Sequence, residues 1–274
     1  MIIKTLVENT SKTGELKSEH GLSLYIETKK HKLLFDTGSS ELYSVNAAKM
    51  GVDLAKVDIA VISHGHYDHG GGLETFLKIN KKAKIYMHRN SLGKYYSNSS
   101  SGEKEYIGLN EGLADSGRFI FTKERSIIDE GLELFSGVKG NQFNPSGNKD
   151  LFKLSGGTIT EDDFDHEQSL IIKEGEKTVL LAGCAHTGIV NIMEYFRKEK
   201  GFMPSCVIGG FHLYNCASGE SEDPAVVGEI GAYLLRSGAR CYTCHCTGME
   251  SYHELKAVMG ENINYLSTGD QLLL

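Results

Sequence analysis

The densest run of chemically capable side chains is His64-Gly65-His66-Tyr67-Asp68-His69, followed by Gly70-Gly71-Gly72. Imidazoles at i and i+2 of an extended segment project to the same side and offer two nitrogen ligands to one cation. The adjacent Asp68-His69 pair then offers an oxygen and a nitrogen to a second cation. Gly65 lets the backbone turn tightly between the two imidazoles. With 11 histidines over 274 residues, chance seldom crowds three of them into six positions around an aspartate, so the run points to metal chemistry rather than to a polar loop. Two cations about 3.5–4 Å apart would acidify a water and stabilise negative charge on a carbonyl or phosphoryl oxygen. The reaction class this suggests is hydrolysis of an ester, lactone, thioester, phosphodiester or amide.

These side chains need strand ends to hold them. Apolar runs rich in β-formers predict strands over 22–28, 33–36, 59–63 and 84–88, with a helix over 41–50 and another starting near Leu73. The HGHYDH run thus leaves the end of a strand. The polar stretch from about 90 to 165, containing Ser97-Asn98-Ser99-Ser100-Ser101-Gly102, carries short strand candidates at 118–121 and 132–135 and is read as an inserted cap or lip. The second half alternates again: strands over 169–173, 178–182, 206–209, 239–243 and 264–266, and helices near 189–198, 226–236 and 250–258. A layered α/β sandwich in a single domain, 1–274, accommodates this order best.

Composition narrows the function classes. A net charge of -7 disfavours affinity built on nonspecific phosphate contacts, so nucleic acid is a weaker expectation than a small-molecule substrate. No run approaches the roughly 18 apolar residues of a membrane span and no signal-peptide pattern opens the chain, so a cytoplasmic protein with no membrane partner is expected. All 6 cysteines lie in the last third, unlike a disulfide framework, which fits reduced thiols in a cytosol. Cys241 to Cys246 has no second Cys pair at zinc-ribbon spacing. The oligomeric state is left open.

The run His64–His69 resembles the HxHxDH signature of the metallo-β-lactamase superfamily, and Leu33-Leu34-Phe35-Asp36-Thr37-Gly38 resembles that family's strand ending in Asp-Thr-Gly. Glu167-Gln168-Ser169-Leu170, Gly183-Cys184-Ala185-His186-Thr187-Gly188, Gly209-Gly210-Phe211-His212-Leu213 and Cys244-His245-Cys246-Thr247-Gly248 resemble a narrower branch that includes 7,8-dihydropterin-6-methyl-4-(β-D-ribofuranosyl)aminobenzene-5'-phosphate synthases. The resemblance implies a four-layered αββα sandwich with a dinuclear metal site at the edge of the two sheets, and a metal-dependent hydrolase using a metal-bridging hydroxide. By the family pattern, one metal takes His64 and His66, and the other takes Asp68, His69 and His245. Cys184 stands where the family places a bridging Asp. His186 is taken ahead of His166 as the third ligand of the first metal. Asp68 and His212 are the expected catalytic side chains, the latter as proton or hydrogen-bond donor. Asp36 is expected to support the metal loop. A thiolate at Cys184 favours zinc, while His and carboxylate alone also suit iron or manganese. Cys244 and Cys246, flanking His245 on a strand, are expected to point away from it into the core. His20 lacks a partner at ligand spacing and is left outside the site.

Two other functions compete with hydrolysis. A di-iron redox enzyme of the same fold usually carries a Glu in the metal motif and a flavin domain, whereas position 66 here is His and no chain remains for flavin. A non-catalytic metal-dependent ligand sensor is opposed by the intact set His64, His66, Asp68 and His69.

Overall fold

Strands buried on both faces need continuous apolar sequence, and Ile59–Ile62, Lys177–Leu181 and Cys206–Gly209 supply it. The computed structural model describes residues 1–99 and 101–274. One seven-stranded sheet runs Gln271–Leu273, Ile2–Val7, Ser23–Glu27, Lys32–Phe35, Ile59–Ile62, Lys84–His88, Phe119–Thr122. Its first three pairings are antiparallel and its last three parallel. The other sheet runs Ile263–Tyr265, Arg240–Thr243, Cys206–Gly209, Lys177–Leu181, Gln168–Glu174, Leu132–Ser136, Arg125–Ile127, with three parallel pairings followed by three antiparallel ones.

The inner faces meet in a core that includes Leu24, Leu33, Phe35, Val61, Leu134, Leu170, Leu181 and Ile208. Helices Leu42–Lys49 and Leu73–Ile79 cover the outer face of the first sheet through Tyr43, Ala47, Leu73 and Phe76. Ile189–Lys200, Pro224–Ser237 and Met249–Met259 cover the second through residues such as Met193, Phe196, Ile230 and Leu255. The result is the αββα order. Helix limits follow local chemistry: Asp223 accepts the Ala225 N–H at 2.8 Å, Pro224 takes the first helical position, and Gly238 ends the helix at φ 75°.

The stretch 90–165 is not one insertion. Phe119–Thr122 and Leu132–Ser136 are apolar enough to join the two main sheets. Among the described residues of this stretch, only Tyr95–Asn98, Lys104–Tyr106, Leu151–Ser155 and Thr158–Glu161 form a separate four-stranded sheet, which makes one wall of the cleft. Ser100 of the polar run lies outside the described residues. Ile2–Val7 and Gln271–Leu273, which are not among the expected strands although Ile2–Val7 is rich in β-formers, bring the two chain ends into one sheet edge. Among the described residues, no helix is long and apolar enough to cross a membrane.

Candidate metal centre

Five strand ends deliver the polar groups to one edge of the sandwich. After Lys32–Phe35 comes Asp36, at φ 59°; after Ile59–Ile62 come Ser63 and the HGHYDH run; after Lys177–Leu181, Cys206–Gly209 and Arg240–Thr243 come Cys184–His186, His212 and His245. Ala185, His212 and His245 also have positive φ (58°, 49° and 52°), a conformation that is costly for residues with a Cβ and is concentrated here at the cleft.

Hydrogen bonds fix the orientation of four imidazoles in the same way. Asp36 accepts the Ser63 N–H and Oγ–H, both at 2.7 Å, and its Oδ2 lies 2.7 Å from His69 Nδ1. Ser63 Oγ lies 2.9 Å from His64 Nδ1, Glu167 Oε1 2.9 Å from His186 Nδ1, and Asn9 Oδ1 2.7 Å from His245 Nδ1. With Nδ1–H donated, a neutral ring presents its Nε2 lone pair, the tautomer that binds a cation; at His69 burial opposes charge, but Asp36 and then Asp68 outweigh it and raise its basicity. The Nε2 atoms of His64 and His66 are buried without any partner. His69 Nε2 lies 3.1 Å from both Cys184 Sγ and His245 Nε2, and Asp68 Oδ2 lies 3.2 Å from His245 Nε2.

The ligand-type atoms fall into overlapping groups, each within 4.8 Å: His64, His66 and Asp68; His64, Cys184 and His186; Asp68, His69, Cys184 and His245. Every residue expected from the sequence as a ligand is therefore at this edge, and Cys184 and Asp68 belong to groups on both sides. Burial, followed by the neighbouring imidazoles, pushes His64 well below the usual histidine range, and burial lowers His66 to about 3 and His245 to about 4. Neutral imidazoles need no deprotonation to accept a metal. Burial works against the Asp68 carboxylate, but His69, His20 and His245 hold it well below its ordinary value.

His166 is placed differently. Its Nδ1 accepts the Gly65 N–H at 2.9 Å and its Nε2 lies 3.0 Å from Asp162 Oδ2, so both nitrogens are engaged. It braces the loop between His64 and His66. His212 has neither ring nitrogen bonded; its ring lies 4.5 Å from that of His186, on the wall of a cleft of about 640 Å³. Burial, then His186, lowers its basicity.

Two expectations are corrected. Cys246 does not point into the core: the strand stops at Thr243 and the chain turns through a 3-10 helix, His245–Thr247, so the alternation of a strand no longer applies and the thiol faces the cleft. Cys244 does pack between the sheets. His20 is a neighbour of the site, its Nε2 3.3 Å from Asp68 Oδ2. Burial acts against its charged form, but the Asp68 contact outweighs this and raises it to about 11. Asn9, Asp162 and the carboxylate of Glu167 were likewise not expected as supports. No local spacing signals Asn9, which is 236 residues from His245, or Glu167, which is 19 from His186, whereas Asp162 stands four residues before His166. Of the two thiols, Cys184 is pushed up by burial, whereas at Cys246 contacts from Cys184 and then His212 outweigh burial and lower it.

A doubly layered sandwich with this edge constellation defines a class, and the chain belongs to the metallo-beta-lactamase superfamily, whose family model matches residues 18–210. Among its relatives, the 7,8-dihydropterin-6-methyl-4-(beta-D-ribofuranosyl)-aminobenzene-5'-phosphate synthase of Methanocaldococcus jannaschii is 27% identical over 270 residues, covering 92% of this chain and 89% of that protein. The solved structure of Tm1679, described as a metal-dependent hydrolase of the beta-lactamase superfamily, is 28% identical, with a TM-score of 0.83 and coverage of 100% of this chain and 99% of that one. The short form of human tRNase Z shares the fold alone, at 13% identity and a TM-score of 0.55.

Proposed function

We propose that the protein is a dinuclear metal-dependent hydrolase of a small-molecule ester, lactone or phosphoester. The observation that carries this reading is the set of four histidines, His64, His69, His186 and His245, each with Nδ1 tied to an acceptor and Nε2 left for a cation. The residues fit the group: two buried Nε2 atoms have no partner, and the donor set of nitrogen, carboxylate and thiol suits zinc. In this reading His64, His66 and His186 hold one metal, Asp68, His69 and His245 hold the other, and Cys184 lies between them. Bound there, two divalent cations would supply Lewis acidity and an activated water.

The chain's own residues do the rest. Asp36, Glu167 and Asn9 keep the imidazoles oriented. The carboxylate of Asp68 aligns the attacking water by accepting its hydrogen bond. A neutral His212, lining the cleft with a free ring N–H, donates to the departing oxygen of the substrate. The similarity to Tm1679 supports hydrolysis, whereas the methanogen relative is a synthase, so the test includes group transfer. Plasma mass spectrometry should find two transition metals per chain, and a panel of esters, lactones and phosphodiesters should show turnover in at least one class. Two bound metals with no turnover on any class, and none when nucleophilic acceptors replace water, would overturn the enzymatic reading and leave a ligand sensor.

A further inference from the structure

Cys246 has no task in the chemistry proposed above, yet the chain makes room for its sulfur at the cleft. A Cβ at Gly210 would come within 2.4 Å of Cys246 Sγ, so only glycine leaves the space that this thiol fills. The sulfur lies 3.5 Å from the carbonyl oxygen of Cys184 and accepts the backbone N–H of His212 at 3.3 Å. The Cys184 and Cys246 sulfurs fall, with a His212 nitrogen, in a group spanning no more than 4.8 Å. Of the six cysteines, only Cys184, Cys216 and Cys246 line the cleft, while Cys206, Cys241 and Cys244 are packed in the apolar layers. Small polar molecules that reach the site therefore meet Cys184 and Cys246 together.

From this juxtaposition we infer that Cys184 and Cys246 form a disulfide when a small hydroperoxide enters the cleft, making the pair an oxidative modification site on the wall of the candidate metal centre. One thiolate attacks the peroxide O–O bond, takes up an oxygen as sulfenic acid and releases an alcohol, or water where the oxidant is hydrogen peroxide. The second sulfur attacks the sulfenic sulfur and expels water. In sum, two thiols and one hydroperoxide give one disulfide, one alcohol and one water, and the two electrons pass from sulfur to the peroxide. A disulfide needs its sulfurs about 2.0 Å apart, so the two side chains must rotate toward each other for it to form. Cross-linking also removes the sulfur that lies between the two ligand groups. That consequence rests on the proposed metal role of Cys184; the cross-link itself does not.

The test treats the full chain, stripped of metal by chelation or loaded with zinc, with a small excess of hydrogen peroxide, followed by thiol titration and peptide mapping by mass spectrometry. The metal-free chain should lose two of its six titratable thiols, yield a linked peptide joining Cys184 to Cys246, and recover both thiols with dithiothreitol. Zinc should slow the reaction. Cys246→Ser should give no link, and Cys216→Ser should give the same link as the parent chain. A bridge through Cys216, separate oxidation of Cys184 and Cys246 to sulfinic acids, or survival of all six thiols would overturn the inference. The mapping is done on the unsubstituted chain, so it remains decisive even where a variant fails to fold. If the disulfide forms and zinc uptake is equal in oxidised and reduced protein, the modification site stands and the ligand role of Cys184 falls.

Discussion

Glu167→Gln isolates the support of one imidazole from the imidazole itself. The carboxylate accepts four hydrogen bonds: from the His186 N–H at 2.7 Å, His186 Nδ1 at 2.9 Å, the Thr187 N–H at 3.1 Å and Thr187 Oγ1 at 2.9 Å. An amide keeps one acceptor oxygen and turns the other into a pair of donors. In either orientation a backbone N–H, that of His186 or that of Thr187, then faces an N–H, and losing a hydrogen bond to a charged group costs about 1.5–3 kcal/mol. The acidity of the group leads to a similar figure. Burial raises it, but His186 and the Thr187 N–H bring it from 4.5 to about 2, which corresponds to roughly 3 kcal/mol of stability at neutral pH. Because the folded value is depressed, this contribution is complete above 4.5 and disappears as pH falls toward 2. The parent and variant should therefore differ by about 3 kcal/mol in urea unfolding of the metal-free chain at pH 7 and converge on acidification. Zinc affinity should fall about 10–100-fold with it, as expected when a ligand loses its anchor. A loss below about 1 kcal/mol, or a gap that does not narrow in acid, would refute the reasoning.

Other substitutions probe the remaining parts. Asp68→Ala should abolish turnover while leaving the thermal unfolding curve near that of the parent, because the residue serves the cleft rather than the core; an unfolded variant would assign it a structural role. His186→Ala should empty one of two metal sites by mass spectrometry, whereas His166→Ala, which loosens the Gly65 N–H brace, should fill both at saturating metal with weaker affinity. A Cβ at Gly65 would stand 2.4 Å from the Ser91 carbonyl oxygen, so Gly65→Ala should cost about 1–3 kcal/mol in denaturant unfolding together with metal affinity. Asp150 bonds Asn98 and Asn215, each at 2.7 Å, across the cleft mouth. Asp150→Ala should raise KM several-fold with metal content unchanged, as measured by steady-state kinetics beside metal analysis.

Residues that lie next to one another in the chain were legible from their own spacing, the distant Cys184, His186, His212 and His245 only through the family resemblance, and the groups that orient them not at all. The HGHYDH run carries four ligand-type groups on one strand end, so its chemistry shows without any knowledge of tertiary contacts. The alternation of strands and helices was legible for a related reason: fully buried strands such as Ile59–Ile62 need unbroken apolar sequence, which stands out between polar turns, whereas the αββα order came only with the family resemblance. Lys104–Tyr106 and Thr158–Glu161 lie at the edges of the cap sheet with every residue exposed, so they have no apolar alternation to betray them. Cys246 escapes period-two reasoning because the alternation ends with the last hydrogen-bonded strand residue and a tight helical turn follows.

The supports show the limit most clearly. A carboxylate or amide that orients an imidazole has to approach Nδ1, and nothing requires it to be near that histidine in sequence. His245 shows this twice over: Asn9 Oδ1 holds its ring, and Glu8 Oε2 accepts its backbone N–H at 3.1 Å while also accepting the Tyr265 hydroxyl at 3.0 Å. Both supports follow directly from the strand Ile2–Val7, whose place is set by pairing with Ser23–Glu27 on one side and Gln271–Leu273 on the other. The orientation of a ligand near the end of the chain is thus controlled by the packing of its first strand. The run Ile-Ile-Lys-Thr-Leu-Val marks a strand there, but nothing in it says which distant strand ends it will lie beside, and so the supports of His245 were hidden.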